Sequence, residues 1–310
     1  MTTAWILPGG ASFGAIQVGV ATALVEHGLR PDMIIGTSIG AVNAAVLAGD
    51  MTPRGTDRLR DLWLRTRRRD VLALRPSTIA QGLIGQRNHL LGNEALGRWL
   101  RRVMPVELIE DAPVRLVVTA SDLAAAEGVH LQHGDLATAL LASCAVPGLL
   151  PPVRVADRWL VDGWVLANAP IGWAAEQGAD TIYVLPCGGT QAFTGRATSP
   201  VLRRIAPDIR SRARTLLEHG LPAGASAINQ ELVGALVARR IRDEFQTWTS
   251  RRDIYLPPAP DVAAMSMLSF AEAPALIDAA GRLTRDWIAN ARPLTPEDVA
   301  RPRALAGVDD

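Results

Sequence analysis

Met33-Ile34-Ile35-Gly36-Thr37-Ser38-Ile39-Gly40-Ala41-Val42-Asn43 is the stretch on which the fold turns. Met33-Ile34-Ile35 is short and wholly apolar, as a strand buried on both faces requires. From Ile39 to Leu47 apolar residues recur at helical spacing, and Gly49 closes the run. Gly36-Thr37-Ser38-Ile39-Gly40 therefore has to turn strand into helix with no loop to spare. It matches G-x-S-x-G at the place where that motif needs to lie, with no side chain two residues to either side of Ser38. A serine there projects from the sheet edge beside a helix N-terminus, which favours developing negative charge. The same serine could also simply N-cap the Ile39 helix.

The pattern extends in both directions. Ala4-Trp5-Ile6-Leu7 predicts a first strand, stopped by Pro8-Gly9-Gly10, and Ala15 to His27 a helix ended by Gly28 and Pro31. Strand, loop, helix, strand, tight turn, helix is the pattern of a parallel sheet covered on both faces. Thr52 to Ala112 reads as a mostly helical insertion holding Trp63, Trp99 and the basic run Arg65, Arg67, Arg68, Arg69. Strand signals return at Val114 to Thr119, Val129 to Leu131, Trp159 to Val161 and Thr181 to Leu185, with a short helix at Leu136 to Ala142. Cys187 to Pro200 is loop-like, Ile228 to Arg240 a strong helix, Asp253 to Leu256 an edge-tolerant strand, and Ala275 to Ala289 a closing helix. The expected organisation is one three-layer α/β/α domain over 1–291 with a mainly parallel sheet. Its helical insertion at 52–112 is a candidate lid, and 292–310 is a C-terminal tail.

Composition narrows the function. The 310 residues are 48% hydrophobic and 20% charged, ordinary globular values. A net charge of +1 provides no general field for a polyanion, so nucleic acid is not an expected partner. All 32 basic residues are arginine. Cys144 and Cys187 are too few for a disulfide framework or a four-ligand zinc site, and no metal or organic cofactor is implied. No leader is visible and no apolar run reaches the ~20 residues of a spanning helix. The chain reads as cytoplasmic, with peripheral contact to a membrane surface left open, as is its oligomeric state.

Gly9-Gly10-Ala11-Ser12-Phe13-Gly14 follows the first strand, and a parallel sheet brings this loop to the same carboxyl edge as Ser38. A dinucleotide fingerprint would need glycine at Ala11 and an acidic residue after the second strand, and neither is present. An oxyanion hole built from Gly10 and its neighbours suits the pair of loops better. The base is less obvious. His27, His89, His130, His133 and His219 all stand where capping, turns or alternation account for them. Asp162 ends a strand and precedes Gly163, although an Asp-Gly turn is its plainest local explanation.

The motifs together resemble the patatin-like phospholipase family: the glycine loop, Gly36-x-Ser38-x-Gly40, Ala142 to Pro147 followed by Pro151-Pro152, Asp162-Gly163, and Asn168-x-Pro170. The resemblance runs from about Trp5 to Gly172. It implies a lipid acyl hydrolase of the phospholipase A type working through a Ser–Asp dyad and an acyl-enzyme. Ser38 would be the nucleophile and Asp162 the base. Gly9, Gly10, Ala11 and Gly14 would form the oxyanion loop, Gly36 and Gly40 the elbow, and Gly163, Asn168 and Pro170 supporting positions. Three residues depart from the family pattern: Ala11 for a glycine, Phe13 for a basic residue, and Trp164 for a small residue whose bulk could narrow the acyl site. The alternatives are a Ser–His–Asp esterase using His219, or a lipid-binding scaffold that has lost turnover. The arginine run, with Arg203, Arg204, Arg210, Arg212 and Arg214, could seat on anionic headgroups or merely be solvated. Trp63 and Trp99 could line an acyl groove or pack as core.

Overall fold

A computed structural model describes residues 1–72, 76–83, 86–188, 224–262, 265–267 and 269–300. The Arg203–Arg214 arginines and His219 lie outside the described residues. The fold is the expected mixed α/β one, with a mostly parallel central sheet and helices on both sides. β1 (Thr3–Leu7) leads through a 3₁₀ turn at Ala11–Phe13 into α1 (Gly14–Glu26), and β2 (Met33–Thr37) into α2 (Ile39–Gly49). The insertion is helical as expected: α3 (Pro53–Arg65), α4 (Arg68–Val71), α5 (Pro76–Leu83) and α6 (Glu94–Val103). β3 (Arg115–Asp122), β4 (Glu127–Leu131), α7 (Leu136–Ser143), β5 (Val153–Val155), β6 (Arg158–Asp162), α8 (Ile171–Glu176) and β7 (Thr181–Val184) follow. Beyond residue 223 come α9 (Gly224–Trp248), β8 (Asp253–Tyr255), α10 (Ala273–Ile288) and α11 (Pro296–Ala300).

The sheet order is β5-β6-β3-β2-β1-β7-β8, with β4 also paired to β3. The β1–β2, β1–β7, β2–β3 and β7–β8 pairs are parallel, and β6 runs antiparallel to β3. Alternation along the buried strands splits the core in two. Trp5, Leu7, Ile34, Leu116 and Val118 face a layer built from α1, α2, α3 and α10. Ala4, Ile6, Met33, Ile35 and Val117 face the layer of α8 and α9. Since both faces are covered, these strands read as continuous apolar runs.

The register of β3 places the chemistry. Thr119 pairs with Thr37, and the next residue, Ala120, pairs with Asp162. Successive residues of one strand thus carry the two strand ends bearing Ser38 and Asp162.

The chain does not leave the fold at Arg292, contrary to the expected tail. The Leu294 N–H donates to Ile254 O at 2.7 Å, and Leu294 and Val299 are buried in the α8–α9 layer. Arg292 holds Asp298 bidentately at 2.7 and 2.9 Å. Residues 301–310 lie outside the described set. No helix among the described residues is long and apolar enough to cross a membrane.

Candidate active site

Ser38 stands between β2 and α2 at φ 54°, ψ −127°, a conformation that residues with side chains rarely adopt. The glycines around it are required by close approach. A Cβ on Gly40 would lie 2.0 Å from Leu7 O, and one on Gly36 2.3 Å from the Ala41 Cα. The Ser38 hydroxyl does not cap α2. It donates instead to Asp162 Oδ2 at 2.7 Å.

Asp162 is 1% exposed and ends β6. Its Oδ1 accepts the Trp164 N–H at 2.8 Å, and its own N–H donates to Ala145 O at 2.9 Å. Gly163 lets the chain turn against β3, since a Cβ there would lie 2.4 Å from Thr119 O. Burial raises the Asp162 pKa to about 7, opposed by the hydrogen bonds from Trp164 and Ser38. The adjoining Cys144 thiol is pushed up by burial first and by the Asp162 charge second, so it stays protonated. Cys144 and Cys187 are both free.

The loop after β1 sorts its N–H groups. Gly9 donates to Asn168 Oδ1 at 2.7 Å, Ser12 to Met267 O at 3.0 Å and Phe13 to Gly10 O at 3.1 Å. Gly14 donates to Ala11 O. Among the described residues, the Gly10 and Ala11 N–H groups have no protein acceptor. Four loop residues expected to act alike are thereby divided: Gly9 and Gly14 hold the loop, and Gly10 and Ala11 keep free donors. Ala11 sits at φ 50°, the left-handed conformation that a glycine would take without strain.

Ser38 opens onto an apolar cleft walled by α2 (Val42), the insertion (Leu62, Trp63, Trp99), Val146 and Phe270. Trp63 and Trp99 both line it, and the Trp63 ring lies 5.8 Å from Phe270. Trp164 faces away. It packs in the α8–α9 layer and lines a separate cavity with Trp173 and Glu244, so it does not narrow this cleft.

No histidine lines the cleft among the described residues. His27 Nδ1 bonds Ala23 O at 2.8 Å, and His89 Nδ1 lies 2.8 Å from Asn88 Oδ1. His133 is exposed. His130 stacks on Trp173 at 4.6 Å, and burial lowers its pKa to about 4. His219 lies outside the described residues. No cluster of three His, Cys, Asp or Glu among them is arranged to hold a metal ion.

Sequence reasoning passed over three buried polar residues that hold the site. Ser143 Oγ accepts the Ser38 N–H at 2.8 Å and donates to Thr119 O at 2.6 Å, joining the elbow to β3. Asn43 Nδ2 donates to Gln17 Oε1 at 2.8 Å while its Oδ1 accepts from Trp63 Nε1 at 2.8 Å. Gln17 Nε2 donates to Pro8 O at 2.8 Å, fixing the start of the glycine loop. For Asn43 the available signal is a lone polar residue within an otherwise apolar helix, since buried polar groups need partners.

The sequence model of the patatin-like phospholipase family matches residues 6–175. An uncharacterized NTE family protein of Mycobacterium tuberculosis is 31% identical over 63% of this chain and 51% of its own length. Lysophospholipase NTE1 of Scheffersomyces stipitis is 28% identical over 61% of this chain and 12% of its own. The human patatin-like phospholipase domain-containing protein 6 is 29% identical over 60% and 13%. The chain spans about half the length of the mycobacterial relatives it matches. Among solved structures, VipD from Legionella pneumophila aligns over 92% of this chain and 66% of its own, with TM-score 0.43 and 16% identity.

Proposed function

The chain belongs to the patatin-like phospholipase family, and on that premise we propose that it is a serine acyl hydrolase cleaving carboxylic ester bonds of phospholipids or related lipid esters. Ser38 Oγ attacks the ester carbonyl carbon while Asp162 takes the hydroxyl proton. The carbonyl oxygen becomes an oxyanion held by the Gly10 and Ala11 N–H groups, next to the α2 N-terminus. Asp162 returns the proton to the leaving alkoxide, which departs as an alcohol and leaves an acyl-serine. Water then attacks that ester, giving its proton to Asp162, and the fatty acid is released as Ser38 is regenerated.

The observation that carries this reading is the 2.7 Å Ser38 Oγ–Asp162 Oδ2 hydrogen bond at the base of an apolar cleft. A carboxyl with a pKa of about 7 is matched to its task, because it can accept a proton at neutral pH and give it back. The kinship with lysophospholipases and the cleft's apolar walls support a lipid ester as substrate. A panel of phospholipids, lysophospholipids and short-chain esters, turned over by wild type and Ser38→Ala, tests it. Long-chain esters should be hydrolysed by wild type alone. Equal rates for the two proteins would remove Ser38 from the chemistry.

A further inference from the structure

Apolar and cationic side chains stand in solvent around the mouth of the Ser38 cleft. Leu62 and Trp63 of α3, with Thr66 just beyond its end, line the cleft. Met267 also lines the cleft yet is 52% exposed, and Met265, two residues earlier, is 37% exposed. This segment is tied down, since Ser12 donates from N–H to Met267 O at 3.0 Å and from Oγ to Ser266 O at 3.3 Å. Its exposed methionines therefore sit at a fixed place beside the nucleophile.

Charge accompanies the apolar rim. From the end of α3 into α4, just before Val71 and Leu72, which also line the cleft, Arg65, Arg67, Arg68 and Arg69 are all exposed. Arg65 reaches Asp61 only at 3.5 Å, with both side chains mostly in solvent. Among the described residues, no carboxylate pairs with the guanidinium of Arg67, Arg68 or Arg69. The Asp70 carboxylate turns back onto the Arg67 N–H at 2.8 Å. Residues 61–70 carry four arginines against two aspartates, a local excess in a chain whose net charge is only +1.

We propose that this rim is a docking surface for an anionic lipid bilayer. Met265 and Met267 enter the boundary between headgroups and acyl chains, while Arg67, Arg68 and Arg69 lie on anionic headgroups. The charge sign selects the occupant, and the position explains its use, because a lipid leaving the bilayer at this rim meets the cleft directly. Stable association needs two such signals together, apolar insertion and basic charge. The choice of a bilayer rests on the lipid-ester reading of the cleft, so binding is measured without turnover.

The whole 310-residue chain carrying Ser38→Ala is mixed with vesicles of phosphatidylcholine, or with vesicles of which roughly a third is phosphatidylglycerol, and bound protein is separated by flotation. Binding is expected to the anionic vesicles only and to fall with added salt. Replacing Arg67, Arg68 and Arg69 by Gln should weaken it roughly 100-fold, at about fivefold per arginine. The same triple substitution in the active protein should leave hydrolysis of a soluble short-chain ester unchanged, which certifies the fold. Met265→Asp should weaken vesicle binding as well. Equal binding to both vesicle types, or a triple variant that binds like its parent, overturns the proposal. No vesicle binding by a protein that hydrolyses soluble esters sinks the docking surface and leaves the hydrolase reading standing. Vesicle binding without hydrolysis of any ester does the reverse.

Discussion

Asp162→Asn is expected to make the protein more stable at neutral pH and nearly inactive. The amide keeps both hydrogen bonds within reach, because Oδ1 can still accept from the Trp164 N–H and Nδ2 can donate to Ser38 Oγ. What disappears is an ionisable group whose pKa is raised by burial from 3.8 to about 7. A proton held that much more tightly when folded corresponds to about 4 kcal/mol of penalty for ionising Asp162 in place. The folded pKa exceeds the unfolded one. Asp162 therefore contributes its stability in full below about pH 4, and loses it as pH rises through about 7. The variant has no such loss. From about pH 5 to pH 8 it should gain on wild type by about 3 kcal/mol, the share of the titration lying in that window. Urea unfolding followed by tryptophan fluorescence at the two pH values measures this. Other titrating groups are common to both proteins and cancel in the difference. Turnover should fall by about 10²–10⁴-fold, the usual contribution of a positioned general base. A stability gap that is the same at both pH values would refute the buried, raised carboxyl.

Ser143→Ala strips the buried acceptor from the Ser38 N–H and should cost about 1–3 kcal/mol of stability. It should also lower kcat more than KM, because the elbow loses its tie to β3; an unchanged kcat in folded protein removes Ser143 from the positioning of Ser38. Replacing each of the five histidines singly by Ala should leave kcat/KM per folded molecule within roughly threefold of wild type, and one indispensable histidine, His219 included, would replace the dyad by a triad.

The first two strand–loop–helix units were readable because their signals are local. Trp5-Ile6-Leu7 and Met33-Ile34-Ile35 are unbroken apolar runs, and glycine and proline punctuate each one. Which residue faces which helical layer was not readable, since both faces of these strands are covered and alternation leaves no trace in the sequence. β5 was missed because Val153-Arg154-Val155 is only three residues long and follows Pro151-Pro152. The packed segment after Arg292 reads as a tail because Pro293 and Pro296 interrupt any periodic pattern there. Within the site, Ser38 and Asp162 stand out by the glycines beside them. Ser143 does not, because its partner lies 105 residues away in sequence and a serine near a helix end has many ordinary explanations. The division of labour in the glycine loop was equally hidden. Gly9 is committed by Asn168, 159 residues distant, and only the folded chain brings that carbonyl to it.

The most direct test of the Ser38–Asp162 pair is the rate of covalent inactivation by a fluorophosphonate, measured against pH, with the modified peptide mapped by mass spectrometry. A serine activated by a buried carboxyl reacts only as that carboxyl ionises, so the rate should rise with pH through a single midpoint near the Asp162 pKa of about 7. The adduct should fall on Ser38, and Asp162→Asn should slow its formation without abolishing the fold. An adduct on a different serine of the folded protein, or labelling of Ser38 at the same rate in Asp162→Asn, would contradict the dyad.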